Sequence, residues 1–122
     1  MVIVAVGRVL LERRPAAGIW GGLLSLPELG EAESPEAWLH ARLGLREDTV
    51  QVQALAPEPH AFTHFTLDLQ PLRVDLETLP QRACEAEVVW QPLEQLVDAA
   101  LPAPIRRILS RGVEPEQARL AF

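Results

Sequence analysis

Lysine, asparagine and tyrosine are absent from this chain of 122 residues, and cysteine occurs once. With Cys84 alone, no internal disulfide and no multi-cysteine metal site can form, and the residue reads as a small, partly buried thiol. No apolar run approaches the ~18 residues that a membrane span needs, and Met1-Val-Ile-Val-Ala-Val lacks the basic segment of a secretory signal. The expectation is a soluble, cytoplasmic protein without a membrane partner. No internal repeat, low-complexity tract or linker rich in Gly or Ser divides the chain. All 11 basic residues are Arg, set against 17 acidic ones, for a net charge of -6 and a pI near 5.0. That balance disfavours nucleic-acid binding by the surface as a whole.

What is present suffices for one domain. Apolar residues make up 48% of the chain, and a chain of this length buries roughly two-thirds of its unfolded surface. Val2 to Val6 and Val9 to Arg13 form apolar runs around Gly7-Arg8 and predict a hairpin. Pro15 to Gly22 predicts a turn-rich loop, Leu23 to Leu26 a short extended piece ending at Pro27. Ser34-Pro35-Glu36 supplies an N-cap, a first-turn proline and an early carboxylate for a helix that Gly44 closes, with Trp38, Leu39 and Leu43 on its buried side. Gln51 to Ala56 predicts a strand broken by Pro57-Glu58-Pro59. Phe65, Leu67 and Leu69 alternate with Thr66, Asp68 and Gln70, a period of two that buries one sheet face and places Phe65 in the core. Val88 to Trp90 predicts a short strand and Leu93 to Ala100 a short helix. Pro104 opens a final helix with Ile105, Ile108 and Leu109 on one face and Arg106, Arg107 and Arg111 on the other. The expected fold is α+β, a mixed sheet flanked by helices, over residues 1–113, followed by a loose C-terminal tail at 114–122.

The order of hairpin, loop, Pro27-Glu28, Gly30 and helix resembles the Nudix fold, with a degenerate Nudix box. In that family several carboxylates on one helix face hold a hard cation against a diphosphate. Gly30 to Glu36 fits the first half of the box. Registering its closing glycine on Gly44 puts Ala37 and Trp38 where Arg-Glu belongs, and Ala41 and Arg42 where Glu-Glu belongs. Counting forward from Glu36 instead places Gly44, Leu45, Asp48 and Thr49 at those positions. Neither register rebuilds the metal site, and Glu28, Glu31, Glu33 and Glu36 read as solvated loop and helix-start charges. No phosphate loop, nucleophile elbow or H-E-x-x-H is present. His40, His60 and His64 are too scattered for a metal site. The expectation is no metal, no cofactor and no catalytic residue in this chain.

Two segments carry more than a generic fold needs: Leu10-Leu-Glu-Arg-Arg-Pro-Ala-Ala-Gly-Ile-Trp-Gly-Gly-Leu-Leu-Ser-Leu-Pro-Glu28 and His60-Ala-Phe-Thr-His-Phe-Thr-Leu-Asp-Leu69. With Leu101-Pro-Ala-Pro-Ile-Arg-Arg-Ile-Leu109 they closely resemble, in family order, the C-terminal domain of MutY-type adenine DNA glycosylases, a Nudix relative lacking the Nudix metal site. The resemblance implies a DNA-repair module that reads 8-oxoguanine opposite adenine. Its partners would be double-stranded DNA carrying that mispair and the N-terminal catalytic domain of the same protein, which in the family excises the adenine and carries a 4Fe-4S cluster. This chain contains neither the helical catalytic part nor the four cysteines. Carried onto the family loop, Phe62 takes the place of an apolar wedge, Thr63 that of a Ser or Thr hydroxyl meeting the lesion, and His64 that of a polar partner. Arg106, Arg107 and Arg111 are candidate phosphate contacts or a solvated helix face. Trp20 reads as a loop anchor, Ser25 as structural, and Gly18, Gly21 and Gly22 as turn or packing residues. The competing readings are a divergent Nudix hydrolase of oxidised or ordinary nucleoside triphosphates and a Nudix-like protein-interaction scaffold.

Overall fold

The computed structural model describes residues 1–46, 50–80 and 88–112; Cys84 and the expected tail at 114–122 lie outside the described residues. Strands β1 (Val2–Ala5) and β2 (Arg8–Arg13) form the expected hairpin. Its turn is Val6-Gly7, both left-handed at φ 50° and 72°, one residue earlier than the sequence suggests. Two positive φ values in succession match the twist of the flanking strands. They put a β-branched residue in a conformation that L side chains rarely adopt.

Strand β2 carries β1 and then β3 (Leu24–Ser25) along one edge and β8 (Val88–Pro92) along the other, because Glu12 faces Ser25 on one side and Val88 on the other. Beyond β1 the sheet continues with β7 (Leu72–Leu76), parallel to β1, and β4 (Gln51–Ala54), antiparallel to β7. The central strands are buried on both faces. Val2, Val4, Val9 and Leu11 point to α2 (Ala103–Gly112) and a 3-10 helix (Leu93–Asp98), meeting Leu96, Ile105, Ile108 and Leu109. Ile3, Leu10 and Val74 point the other way, to Trp38, Leu39 and Leu43 of α1 (Pro35–Leu43). Each large side chain buried this way contributes about 1.5–3 kcal/mol relative to leaving it exposed.

Helix α1 starts and stops where its sequence says. The Ser34 hydroxyl accepts from the Ala37 amide at 3.1 Å, Pro35 occupies the first turn, and Gly44 turns left-handed at φ 71° with its N–H on the His40 carbonyl. Two strands escape the hydrophobic pattern. In β7 the pair Arg73 and Asp75 interrupts the apolar alternation, yet the two lie on one face of the strand and bond at 2.8–3.1 Å, and Arg73 is buried with Nη1 on the Gly112 carbonyl at the end of α2. The second, β5 (Glu58–Ala61), contains Pro59 and, among the described residues, pairs only with β6 (Thr66–Leu69) in a separate two-stranded sheet. A proline is tolerated there because an edge strand leaves one side of its backbone unpaired. The alternation of Phe65 to Leu69 therefore does not line the main sheet. Leu67 and Leu69 are half-buried, and Phe65 is 47% exposed and outside the core.

Candidate nucleic-acid interface

Strands β4 to β7 are one long hairpin bent in the middle. Between the pairs Ala54↔Leu72 and Glu58↔Leu69 the outgoing chain has three residues, 55 to 57, and the returning chain two, 70 and 71. That single extra residue is a bulge, which bends the strand and strengthens its twist, and Pro57 and Pro71 sit at the same break. The Leu55 amide bonds to the Pro71 carbonyl at 3.0 Å, and Gln70 Nε2 donates to the Leu55 and Pro71 carbonyls at 2.8 and 3.0 Å, pinning the root. Beyond it, β5 and β6 project as an arm whose tip is Phe62-Thr63-His64-Phe65, closed by the Phe62 amide on the Phe65 carbonyl at 2.6 Å.

Four rings gather on this arm. Phe62 stacks on Phe65 at 4.7 Å with a 21° tilt, His60 meets Phe62 edge-on at 4.8 Å, and Trp20 lies 6.1 Å from Phe62 and 6.3 Å from His60. Such pairs add about 0.5–1.5 kcal/mol beyond the area they bury. Trp20 comes from the loop after β2 and packs against the core as the expected anchor, at the cost of a left-handed backbone, φ 56°. The loop is held by the Arg14 amide on the Leu23 carbonyl at 2.8 Å and by Arg13 Nη1 on the Gly22 carbonyl at 2.8 Å. At the tip, Thr63 and His64 are exposed, and among the described residues no hydrogen bond engages either side chain. Phe62 is half-buried. The fold thus brings Phe62, Thr63 and His64 to one tip, beside Trp20, His60 and Phe65, which no sequence signal assigned to a site.

Helix α2 holds the arm from below. Arg107 Nε donates to Glu58 Oε2 at 2.6 Å, and Arg111 Nη2 to Glu58 Oε1 at 3.3 Å and to the Ala56 carbonyl at 2.8 Å. The Arg107 hydrogen bond, helped by Arg111, holds the Glu58 carboxyl below its ordinary range. Arg107 Nη2 also lies 3.5 Å from His60 Nδ1. Arg106 points elsewhere, with Nη1 and Nη2 donating to the Leu96 and Ala99 carbonyls at 3.3 and 2.6 Å, which ties the 3-10 helix to α2. All three candidate phosphate contacts therefore have intramolecular partners, and Arg107 and Arg111 flank the base of the arm.

A Nudix cation fits poorly in the loop before α1 and along that helix. Glu28 is paired with Arg14 at 2.9 Å, Glu33 Oε1 accepts from the Gly30 amide at 3.1 Å, and Glu31 is exposed on the loop. With Gly44 at the helix end, the last turn presents Ala41 and Arg42, and the Arg42 guanidinium sits 5.4 Å over the Trp38 ring, a positive charge where the box has carboxylates. Burial pushes the neighbouring Glu12 carboxyl up, an effect that Arg42 partly offsets. Among the described residues no three His, Cys, Asp or Glu side chains converge on a point where a metal could sit. No helix among them is long and apolar enough to cross a membrane.

Solved structures of the same fold include one determined with a protein partner and one with a nucleotide. The chain is similar to the C-terminal domain of mouse MUTYH, solved in complex with human PCNA, at 22% identity and a TM-score of 0.71, over 96% of this chain and 87% of that one. It is similar to the NUDIX domain of Shewanella oneidensis NrtR, solved with ADP ribose, at 15% identity and a TM-score of 0.67, over 93% and 83% of the two chains. A Nudix hydrolase from M. smegmatis, RenU, matches at 23% identity and a TM-score of 0.60, over 96% and 81%. At these identities the likeness is one of fold. The model of the NUDIX domain matches residues 1–111, which agrees with the three layers, the α1 caps and the glycine-closed helix described above, and the chain belongs to the NUDIX domain family.

Proposed function

We propose that this chain is the lesion-reading domain of a MutY-type adenine DNA glycosylase, recognising 8-oxoguanine opposite adenine in double-stranded DNA. The observation that carries the reading is the arm tip, where Thr63 and His64 stand exposed beside a half-buried Phe62 on a hairpin braced by Trp20 and α2. Oxidation at C8 turns N7 of guanine from an acceptor into an N–H donor and adds a carbonyl, on the edge where guanine presents acceptors. The Thr63 hydroxyl both donates and accepts, so it can meet that altered edge. Phe62 serves as the apolar wedge that unstacks the duplex beside the lesion, at a cost of a few kcal/mol, and His64 as the polar partner. Arg107 and Arg111 brace the arm through Glu58 and offer phosphates only their remaining N–H donors, and Arg106 stays with its carbonyls. Adenine excision falls to the helical catalytic domain of the same protein, with its iron-sulfur cluster.

The fold is shared with a Nudix hydrolase as well as with the MUTYH domain, so what supports this reading over hydrolysis is the Arg42 guanidinium standing where the Nudix box has carboxylates. Competition binding at low salt, with duplexes that differ only in 8-oxoguanine or guanine opposite adenine, tests it. Preference for the lesion duplex is expected. Magnesium-dependent hydrolysis of 8-oxo-dGTP that disappears in Glu36→Gln, with no duplex preference, would establish the hydrolase reading in its place.

A further inference from the structure

The ring best presented to a ligand is one that the lesion contacts proposed above do not include. Phe62 is half-buried, with Phe65 stacked on it, His60 edge-on and Trp20 behind, and only the part of it left open can act as the wedge. Phe65 stacks on Phe62 and is still 47% exposed, so among the described residues much of the ring's remaining surface is uncovered. Its position is not adventitious: the Phe62 amide on the Phe65 carbonyl clamps the two residues across the tip, and the near-parallel 21° geometry sets Phe65 as the outer layer of a stack. An aromatic ring held at the end of an ordered stack offers a π surface on which another ring can pack. A flat heteroaromatic ring continues such a stack, and every nucleobase offers a π face.

We propose that Phe65 is a base-stacking residue: a nucleobase unstacked from the duplex lies on its open face, with Phe62, His60 and Trp20 as the backing that holds it. The partner class is a displaced base of any identity, and this rests on the arm being a nucleic-acid reader. Because stacking tolerates any base, Phe65 supplies affinity, whereas discrimination between lesion and guanine belongs to the hydroxyl of Thr63. The two contributions separate experimentally.

The test uses this chain with Phe65→Leu and Phe65→Trp, and duplexes bearing 8-oxoguanine or guanine opposite adenine with 2-aminopurine as the neighbouring base. Anisotropy gives affinity, and 2-aminopurine emission reports stacking. Phe65→Leu keeps apolar packing on Phe62 but removes the π face, so affinity for both duplexes falls on the order of tenfold, with their ratio unchanged. Phe65→Trp keeps affinity and quenching. Phe65→Leu binding and quenching like the parent protein overturns the proposal while leaving lesion reading intact; a changed ratio without loss of affinity for the guanine duplex also overturns it. If the parent protein shows no lesion preference and Phe65→Leu still weakens binding of both duplexes, base stacking stands and lesion reading falls. A parent protein that binds neither duplex overturns both.

Discussion

Thr63 and Glu58 carry the residue-scale tests. Thr63 is expected to contribute one neutral hydrogen bond to the lesion edge, so Thr63→Ala should lower the preference for 8-oxoguanine over guanine by about 1 kcal/mol, read as the ratio of the two duplex affinities. An unchanged ratio removes Thr63 from the site. Glu58 holds the arm to α2, and hydrogen bonding from Arg107 lowers its carboxyl from an ordinary value of 4.5. A depressed folded-state value means that the proton binds more weakly in the folded arm, so the contribution is fully present above pH 4.5 and is lost as pH falls through the lower folded value. Amide shifts of the arm should therefore titrate below pH 4.5, with Glu58→Gln abolishing the transition; arm amides that titrate unchanged in that variant would assign it to another group. Phe62, Thr63 and His64 share the tip because they are contiguous, and it is the family resemblance, not their own chemistry, that singles them out in the sequence. Phe65 departs from expectation for a physical reason: a period of two says which residues share a face, but not whether that face meets the core or solvent. Here it belongs to a two-stranded arm.

Elements with their own punctuation are readable. Ser34, Pro35 and Gly44 spell the ends of α1, and all three do what their chemistry suggests. β7 is hidden because a buried Arg73, paired with the exposed Asp75 and bonded to the Gly112 carbonyl, interrupts its apolar pattern. The bulge between β4 and β5 arises from pairing across distant segments, and no local pattern announces it. The loop that seats Trp20 depends on Gly21, where a Cβ would lie 2.2 Å from the Ala16 carbonyl oxygen, so the backbone has to move if one is added. Gly21→Ala should destabilise the protein by about 1–3 kcal/mol and loosen the ring cluster, seen as lost Trp20 fluorescence anisotropy and a lower Tm. Parent-like stability in that variant would mean that the loop takes another path.

At the scale of the molecule, fold and charge divide the work. Two helices cover a sheet buried on both faces, and the root of the bent hairpin, Leu69 to Pro71, shares a cavity with Trp20 and Glu28. A mixed sheet flanked by helices is foreseeable from the order of strand and helix signals and from the Nudix resemblance, and the position of the arm is not. A net charge of -6 with Arg107 and Arg111 already paired leaves few cations for phosphates, so binding by the chain alone should be weak and should fall with salt at a slope set by very few contacts.

The most direct test is a low-salt NMR titration of this chain with two duplexes that differ only in 8-oxoguanine or guanine opposite adenine. Shifts centred on Phe62, Thr63 and His64, larger with the lesion and accompanied by Phe65, are predicted. Identical shifts with both duplexes, or changes confined to the face of α1, would contradict the reading of the arm as a lesion reader.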